Sequence, residues 1–94
     1  MILEWLPAAL ADFDALIDYI AEENPTVAIA QGDTIEARIS ELPAHPRRGR
    51  PGRVSGTREL VVTTTPFIVV YRTTKTRIQI LRILHGAQLW PPVD

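Results

Sequence analysis

Apolar positions recur at helical spacing through the first half of the chain and at strand spacing through its last third. Ile2, Leu3 and Trp5 make a short apolar stretch before Pro7, long enough for one strand over residues 1–6. Pro7 stands where a helix begins, since its fixed φ suits the first helical position and the N–H it lacks is not needed there. Leu10, Phe13, Leu16, Ile17 and Ile20 follow three and four residues apart, with Asp12, Asp14 and Asp18 mainly on other faces. That pattern predicts an amphipathic helix from 8 to about 23. At Asn24-Pro25, Asn24 either ends this helix or caps the next, whose first residue is Pro25. Ala28, Gly32, Ile35, Ile39 and Leu42 continue as one seam that stops at Pro43. Gly32 costs about 1 kcal/mol of helix propensity. Its place on the seam beside Ala28 predicts two helices packed closely and antiparallel.

Residues 43–57 hold three prolines, three glycines and four arginines and read as a loop. Arg58 to Thr65 is rich in β-branched residues, and Pro66 breaks it. Phe67 to Arg72 is apolar on both faces, as an inner strand is. Thr73 to Thr76 is a polar turn, and Arg77 to Leu84 is another strand. Connections this short make the three strands an antiparallel meander. His85 to Asp94 is a tail with Gly86, Trp90 and two prolines, with room for one helical turn. The expected fold is α+β, in the order β-α-α-β-β-β. A helical hairpin over 7–43 packs on one face of a mainly antiparallel sheet formed by the strand at 1–6 and the meander at 58–84. An Arg-rich loop at 44–57 joins them, and the tail at 85–94 or a partner takes the other face.

Composition narrows the class. With 94 residues, 46% of them hydrophobic, the chain suits one domain with a small core. It has no cysteine, which excludes disulfides, a thiolate zinc site and a cysteine nucleophile, and fits a reducing cytoplasm. No cofactor or metal is expected. The first residues lack the basic and apolar regions of a signal peptide, and no apolar run approaches membrane-spanning length. Net charge is −1, but the charges are segregated: nine of eleven acidic residues lie in the first 41 positions, and nine of ten basic residues lie at or after Arg47.

Two stretches carry a resemblance. One runs Gly49-Arg50-Pro51-Gly52-Arg53-Val54-Ser55-Gly56-Thr57-Arg58-Glu59-Leu60. The other is Tyr71-Arg72 followed by Ile80-Leu81-Arg82-Ile83-Leu84-His85-Gly86-Ala87-Gln88 and Trp90-Pro91. With the N-terminal strand, proline and Ala-rich helix ending in Asp-Tyr-Ile, they resemble the ParE/RelE superfamily of toxins, often called plasmid stabilisation proteins, across essentially the whole chain. Leu6 departs from the hydroxyl residue that often caps the first helix in that family. The resemblance implies a cytoplasmic toxin neutralised by an antitoxin that has a DNA-binding N-terminal domain and a C-terminal segment folding on the toxin. It also implies one of two targets: the ribosome and its mRNA for RelE-like endoribonucleases, or DNA gyrase for ParE-like members. A degenerate toxin that acts only within the antitoxin complex is a third possibility.

The residues favour the gyrase branch, which is not an enzyme activity. A metal-free ribonuclease must activate the 2′-OH, stabilise the phosphorane and protonate the leaving oxygen. Where RelE-like toxins carry a phosphate-binding arginine, this chain has Phe67 and Ile68; around their acid/base positions it has Ala87 and Gln88. His85 is the candidate that remains, as a general acid/base if the chain is a ribonuclease or as a structural cap of the last strand. Tyr71 reads as buried rather than catalytic, and His45, between prolines, as a loop residue. Arg50 and Arg53, with Arg47 and Arg48, make a basic loop that either contacts antitoxin or nucleic acid or is simply solvated. Arg58, Arg72 and Arg82 fall in strands, Arg82 by period-two counting on the face of Ile78, Ile80 and Leu84. These arginines either line a groove for the antitoxin or form internal ion pairs, with Glu59 the candidate partner of Arg82. Trp90, near Gln88, either caps the sheet or anchors a partner.

Overall fold

Pro7 and Pro25 each open a helix, and the chain around them is built as their position requires. In the computed structural model, which describes residues 1–92, β1 is Ile2–Trp5, α1 is Pro7–Glu23 and α2 is Pro25–Ser40. Leu6 joins β1 to α1 without a side-chain cap. Its N–H donates to the Ile80 carbonyl at 3.0 Å, and its own carbonyl accepts from Leu10 N–H at 3.1 Å. Asn24 does both of the jobs that the sequence left open. Its N–H donates to the Ile20 carbonyl, closing α1, and its side-chain oxygen accepts from Val27 N–H at 3.1 Å, capping α2. Gly32 is buried between the helices, where an added Cβ would lie 2.8 Å from Ile17 Cδ1. The close approach read from the seam is therefore present. Leu10 departs from the predicted apolar face and is exposed.

The sheet has five strands rather than four. Arg50–Pro51, inside the predicted loop, forms a two-residue β2 paired antiparallel with β3, Arg58–Val61. β3 stops at Val61, short of Thr65, because the chain turns there with Thr64 at φ 72°. β4 is Phe67–Thr73 and β5 is Arg77–His85. The order is β1-β5-β4-β3-β2, with β1 parallel to β5 and every other pair antiparallel. α2 ends at Ser40, before Pro43, and turns follow, yet Leu42 still packs fully buried. The tail makes a turn at Gly86–Ala87 in place of a helical one, and its last two positions lie outside the described residues.

The helices cover one sheet face. Ile35, Ile39 and Leu42 pack against Val69, Tyr71, Ile78, Ile80 and Ile83 in one core. Trp5 and Phe13 join its edge through an edge-to-face contact at 5.4 Å. β4 is central and wholly buried from Phe67 to Tyr71, as its two-sided apolar sequence requires. No helix among the described residues is long and apolar enough to cross a membrane.

Candidate functional site

The candidate side chains divide into three groups. The first is tied to Glu59, the one buried charged residue among the described residues, only 1% exposed. Arg53 donates to it from the backbone N–H at 2.8 Å and from the guanidinium at 3.0 Å, and Arg50 lies 3.6 Å away. Burial works to raise the Glu59 pKa. The side-chain and backbone hydrogen bonds of Arg53, with the charges of Arg53 and Arg50, outweigh it and hold the carboxyl below the ordinary range. Glu59 is thus not the partner of Arg82. It folds the Arg-rich segment back onto the sheet, and the Arg50–Glu59 register of β2 and β3 follows from the same contact.

Arg82 belongs to a second group at the far end of β5. β4 and β5 slip register between Val70 and Tyr71: Val70 faces Arg82 and Tyr71 faces Ile80, so Leu81 is an extra residue. The bulge changes the phase of the strand, so Arg82 does not share the face of Ile78 and Ile80. Its guanidinium meets Asp12 of α1 at 2.7 and 3.0 Å, and that hydrogen bond raises the Arg82 pKa. Asp12 also accepts from Ile83 N–H at 2.9 Å. β1 pairs only with Arg77 to Ile80, so beyond Ile80 the outer edge of β5 has no strand beside it. Asp12 satisfies that edge. The sequence pattern places Asp12 off the apolar face and gives it no partner. Its signal was its place on the helical wheel: one turn before buried Leu16 and three residues after buried Ala9, apart from Asp14 and Asp18.

Trp90 folds back onto the same group, its ring centroid 5.7 Å from the Arg82 guanidinium carbon. It is half-buried. His85 ends β5 with its ring edge-on to Phe67 at 5.8 Å. Its Nδ1 accepts from Ala87 N–H at 3.1 Å, and its own N–H donates to the Gln88 side chain at 3.4 Å. His85 and Gln88 line an open groove with Asp12, Tyr19, Gln31 and Ile83. No lysine or arginine lines it.

The third group lies at the opposite end of the sheet, where β3 starts and β4 ends. Arg58 donates to the Gly49 carbonyl at 2.7 Å and shares an open groove with His45, Arg47, Arg48 and Thr73. Arg72 donates to the Gln79 side chain at 2.7 Å, and Gln79 donates to Glu4 at 2.9 Å. Tyr71 lies beneath this group, fully buried. Its hydroxyl donates to the Pro46 carbonyl and accepts from Gly49 N–H, both at 2.8 Å. Burial pushes its pKa above the ordinary value, against the Gly49 hydrogen bond and the charges of Arg58 and Arg48. The predicted arginines therefore do not converge on one groove: Arg53 and Arg82 are in internal ion pairs, and Arg58 and Arg72 sit elsewhere.

Known proteins resemble this chain in sequence and fold. Residues 3–90 match the family described as the ParE toxin of the type II toxin–antitoxin system parDE. The chain is 35% identical to Y4kP of Sinorhizobium fredii, covering 97% of this chain and 94% of that one. It is 34% identical to toxin RelE2 of Caulobacter vibrioides, over 90% and 94% of the two chains. Among solved structures, the chromosomal ParDE toxin–antitoxin system of P. aeruginosa superposes with a TM-score of 0.84 at 33% identity, covering 90% of this chain and 95% of that one. The toxin–antitoxin complex RelBE2 of Mycobacterium tuberculosis shares the fold, with a TM-score of 0.59 at 22% identity over 89% and 95% of the chains. The chain belongs to the ParE toxin family, within the ParE/RelE superfamily of type II toxin–antitoxin toxins.

Proposed function

We propose that this toxin inhibits DNA gyrase in the cytoplasm and is neutralised by a cognate antitoxin, and that it does not cut RNA. One observation carries the choice of target. The groove that holds His85 has no cation to receive a phosphate, since Arg82 beside it is engaged by Asp12. Phe67 and Ile68, where RelE-like toxins place a phosphate-binding arginine, are buried and apolar. The Tyr71 hydroxyl is taken up by two backbone groups. A phosphorane formed in this groove would meet no lysine or arginine side chain. Antitoxin binding draws support from the relatives solved as toxin–antitoxin complexes. Arg50, Arg53, Arg58, Arg72, Arg82, Gln88 and Trp90 remain the proposed contacts with antitoxin or target.

The test adds purified toxin to gyrase, ATP and relaxed plasmid. Supercoiling falls or cleaved DNA accumulates, and mRNA in a translating extract stays intact. Full supercoiling at large toxin excess would sink the proposal. The ribonuclease reading has one observation in its favour, the presence of His85, Asp12 and Tyr19 in a single groove. His85→Ala separates the two: toxicity persists under the gyrase reading and is lost, with folding and antitoxin binding preserved, under the other.

A further inference from the structure

The end of the sheet opposite His85 gathers six cationic side chains. Arg47 and Arg48 come from the α2–β2 connection, Arg58 from the start of β3, Arg72 from the end of β4, Lys75 from the β4–β5 turn and Arg77 from the start of β5. The registers Arg58↔Tyr71, Arg72↔Gln79 and Ile2↔Arg77 bring these segments to the same end. Neutralisation there is incomplete. Arg48 pairs with Glu41, and Arg77 lies 3.8 Å from Glu4. Arg58 and Arg72 donate only to neutral groups, the Gly49 carbonyl and the Gln79 amide. Arg47 and Lys75 have no carboxylate partner among the described residues. α1 leaves β1 beside Ile80 and passes Ile83 at Asp12, so Asp14, Asp18, Glu22 and Glu23 lie progressively farther from this end. A chain of net charge −1 therefore presents one strongly positive pole.

We infer that this pole is a non-sequence-specific contact for the phosphate backbone of duplex DNA. Its chemistry is donor-rich: guanidinium and ammonium groups stand beside the hydroxyls of Thr73, Thr74 and Thr76, and phosphate oxygens accept from such groups. No aromatic ring is exposed there for bases to stack on, since Tyr71 is fully buried, which disfavours single strands. An acidic peptide would need apolar anchors. Met1, which lines the groove shared by Arg47, Arg48 and Arg58, and Ile2, paired with Arg77, are the exposed apolar side chains at this end, a smaller apolar surface than the cationic one; Leu10, Tyr19, Ile29 and Leu89 lie outside the groove. The inference deepens the gyrase proposal, because a toxin acting on an enzyme that holds duplex DNA meets that duplex beside its target.

The test titrates the full-length purified toxin into a short fluorescein-labelled duplex and follows anisotropy, with no gyrase present. Four uncompensated cations predict a log–log salt slope of about −3 to −4, hence a loss of affinity on the order of 100-fold between about 50 and 200 mM salt. Two duplexes of unrelated sequence should bind alike. The double variant Arg47→Ala, Lys75→Ala touches exposed side chains without partners. It should weaken binding about tenfold at low salt and reduce the slope by about 2. Absence of duplex binding at low salt overturns the inference. So does binding that the double variant leaves unchanged, tighter binding of the single strand, or binding of a polyglutamate peptide in place of the duplex. Gyrase inhibition without duplex binding removes this inference alone. Duplex binding without gyrase inhibition removes the gyrase proposal and leaves the DNA contact standing.

Discussion

Tyr71→Phe isolates the contact that fastens the Arg-rich segment to the sheet. The ring is fully buried on β4, and phenylalanine fills the same volume, so the substitution removes one oxygen and little packing. That oxygen serves Gly49 N–H and the Pro46 carbonyl, each at 2.8 Å. Gly49 is buried, so bulk solvent does not reach its N–H. Its N–H is orphaned at a cost of about 1–3 kcal/mol. Pro46 is partly exposed, so its carbonyl recovers solvent and adds less. The expected loss is about 2 kcal/mol, or roughly 8–16 °C in Tm for a domain of this size. Urea unfolding followed by circular dichroism measures it, with an unchanged m-value showing that both states keep their compactness. Amide exchange at Gly49 should accelerate by more than the global loss requires, because the connection carrying Arg47 and Arg48 loosens before the sheet does. A loss under about 0.5 kcal/mol with unchanged Gly49 exchange would refute the reasoning. It would mean that Arg58 and Glu59 hold the segment without the hydroxyl.

Three other perturbations test neighbouring contacts. The Glu59 pKa lies below its ordinary value near 4.5, so the native state releases this proton more readily than the unfolded chain. Its contribution is present above that ordinary value and lost as pH falls through the folded one. Thermal melts of Glu59→Gln should therefore show a shallower decline on the acid side, starting from a stability about 3 kcal/mol lower at neutral pH; an acid limb as steep as in the parent would contradict the assignment. Asp12→Ala leaves Arg82 and Ile83 N–H without their acceptor, and denaturant unfolding should register a loss of about 2 kcal/mol. Trp90 fluorescence should change in the same variant as the ring loses its fixed guanidinium. Gly49→Ala forces the tyrosine ring and the Glu59 carbonyl apart, since the new Cβ would sit 2.7 and 3.1 Å from them. A loss of about 1–3 kcal/mol in the same assay is expected.

Elements whose hydrophobic period is unbroken were legible from the chain alone. The α2 seam, the two-sided apolar β4 and the Pro7 and Pro25 starts depend on local rules, and all are present. The misses share a physical cause: each turns on pairing between distant segments. β2 is two residues long and exists because Glu59 draws Arg50 and Arg53 onto β3, which no window of hydrophobicity records. Arg82 was given the wrong partner and the wrong face for a related reason. Period-two counting assumes an uninterrupted strand, and the extra residue at Leu81 cancels it. The role of Asp12 is not legible in the chain, because the short reach of β1 along β5, which makes an acceptor necessary there, is a property of the assembled sheet.

The charge pattern shows how far such a reading extends. The chain separates acidic and basic residues by sequence position, but the fold re-sorts them by end. α2 returns antiparallel to α1 and delivers the connection bearing Arg47 and Arg48 to the end where β3 and β5 begin. The last basic strand residue, Arg82, is carried the other way along β5 to meet Asp12. One arginine of the basic half is thereby neutralised in a structural pair at the acidic end, and four uncompensated cations are concentrated at the other. Counting charges along the chain could not separate the two ends, because both arginines of β5 lie in one continuous strand. The parallel pairing of β1 with only the first half of that strand distinguishes them. Arg77 lies beside Ile2 at the open pole, whereas Arg82 lies past the end of β1, where α1 supplies the carboxylate.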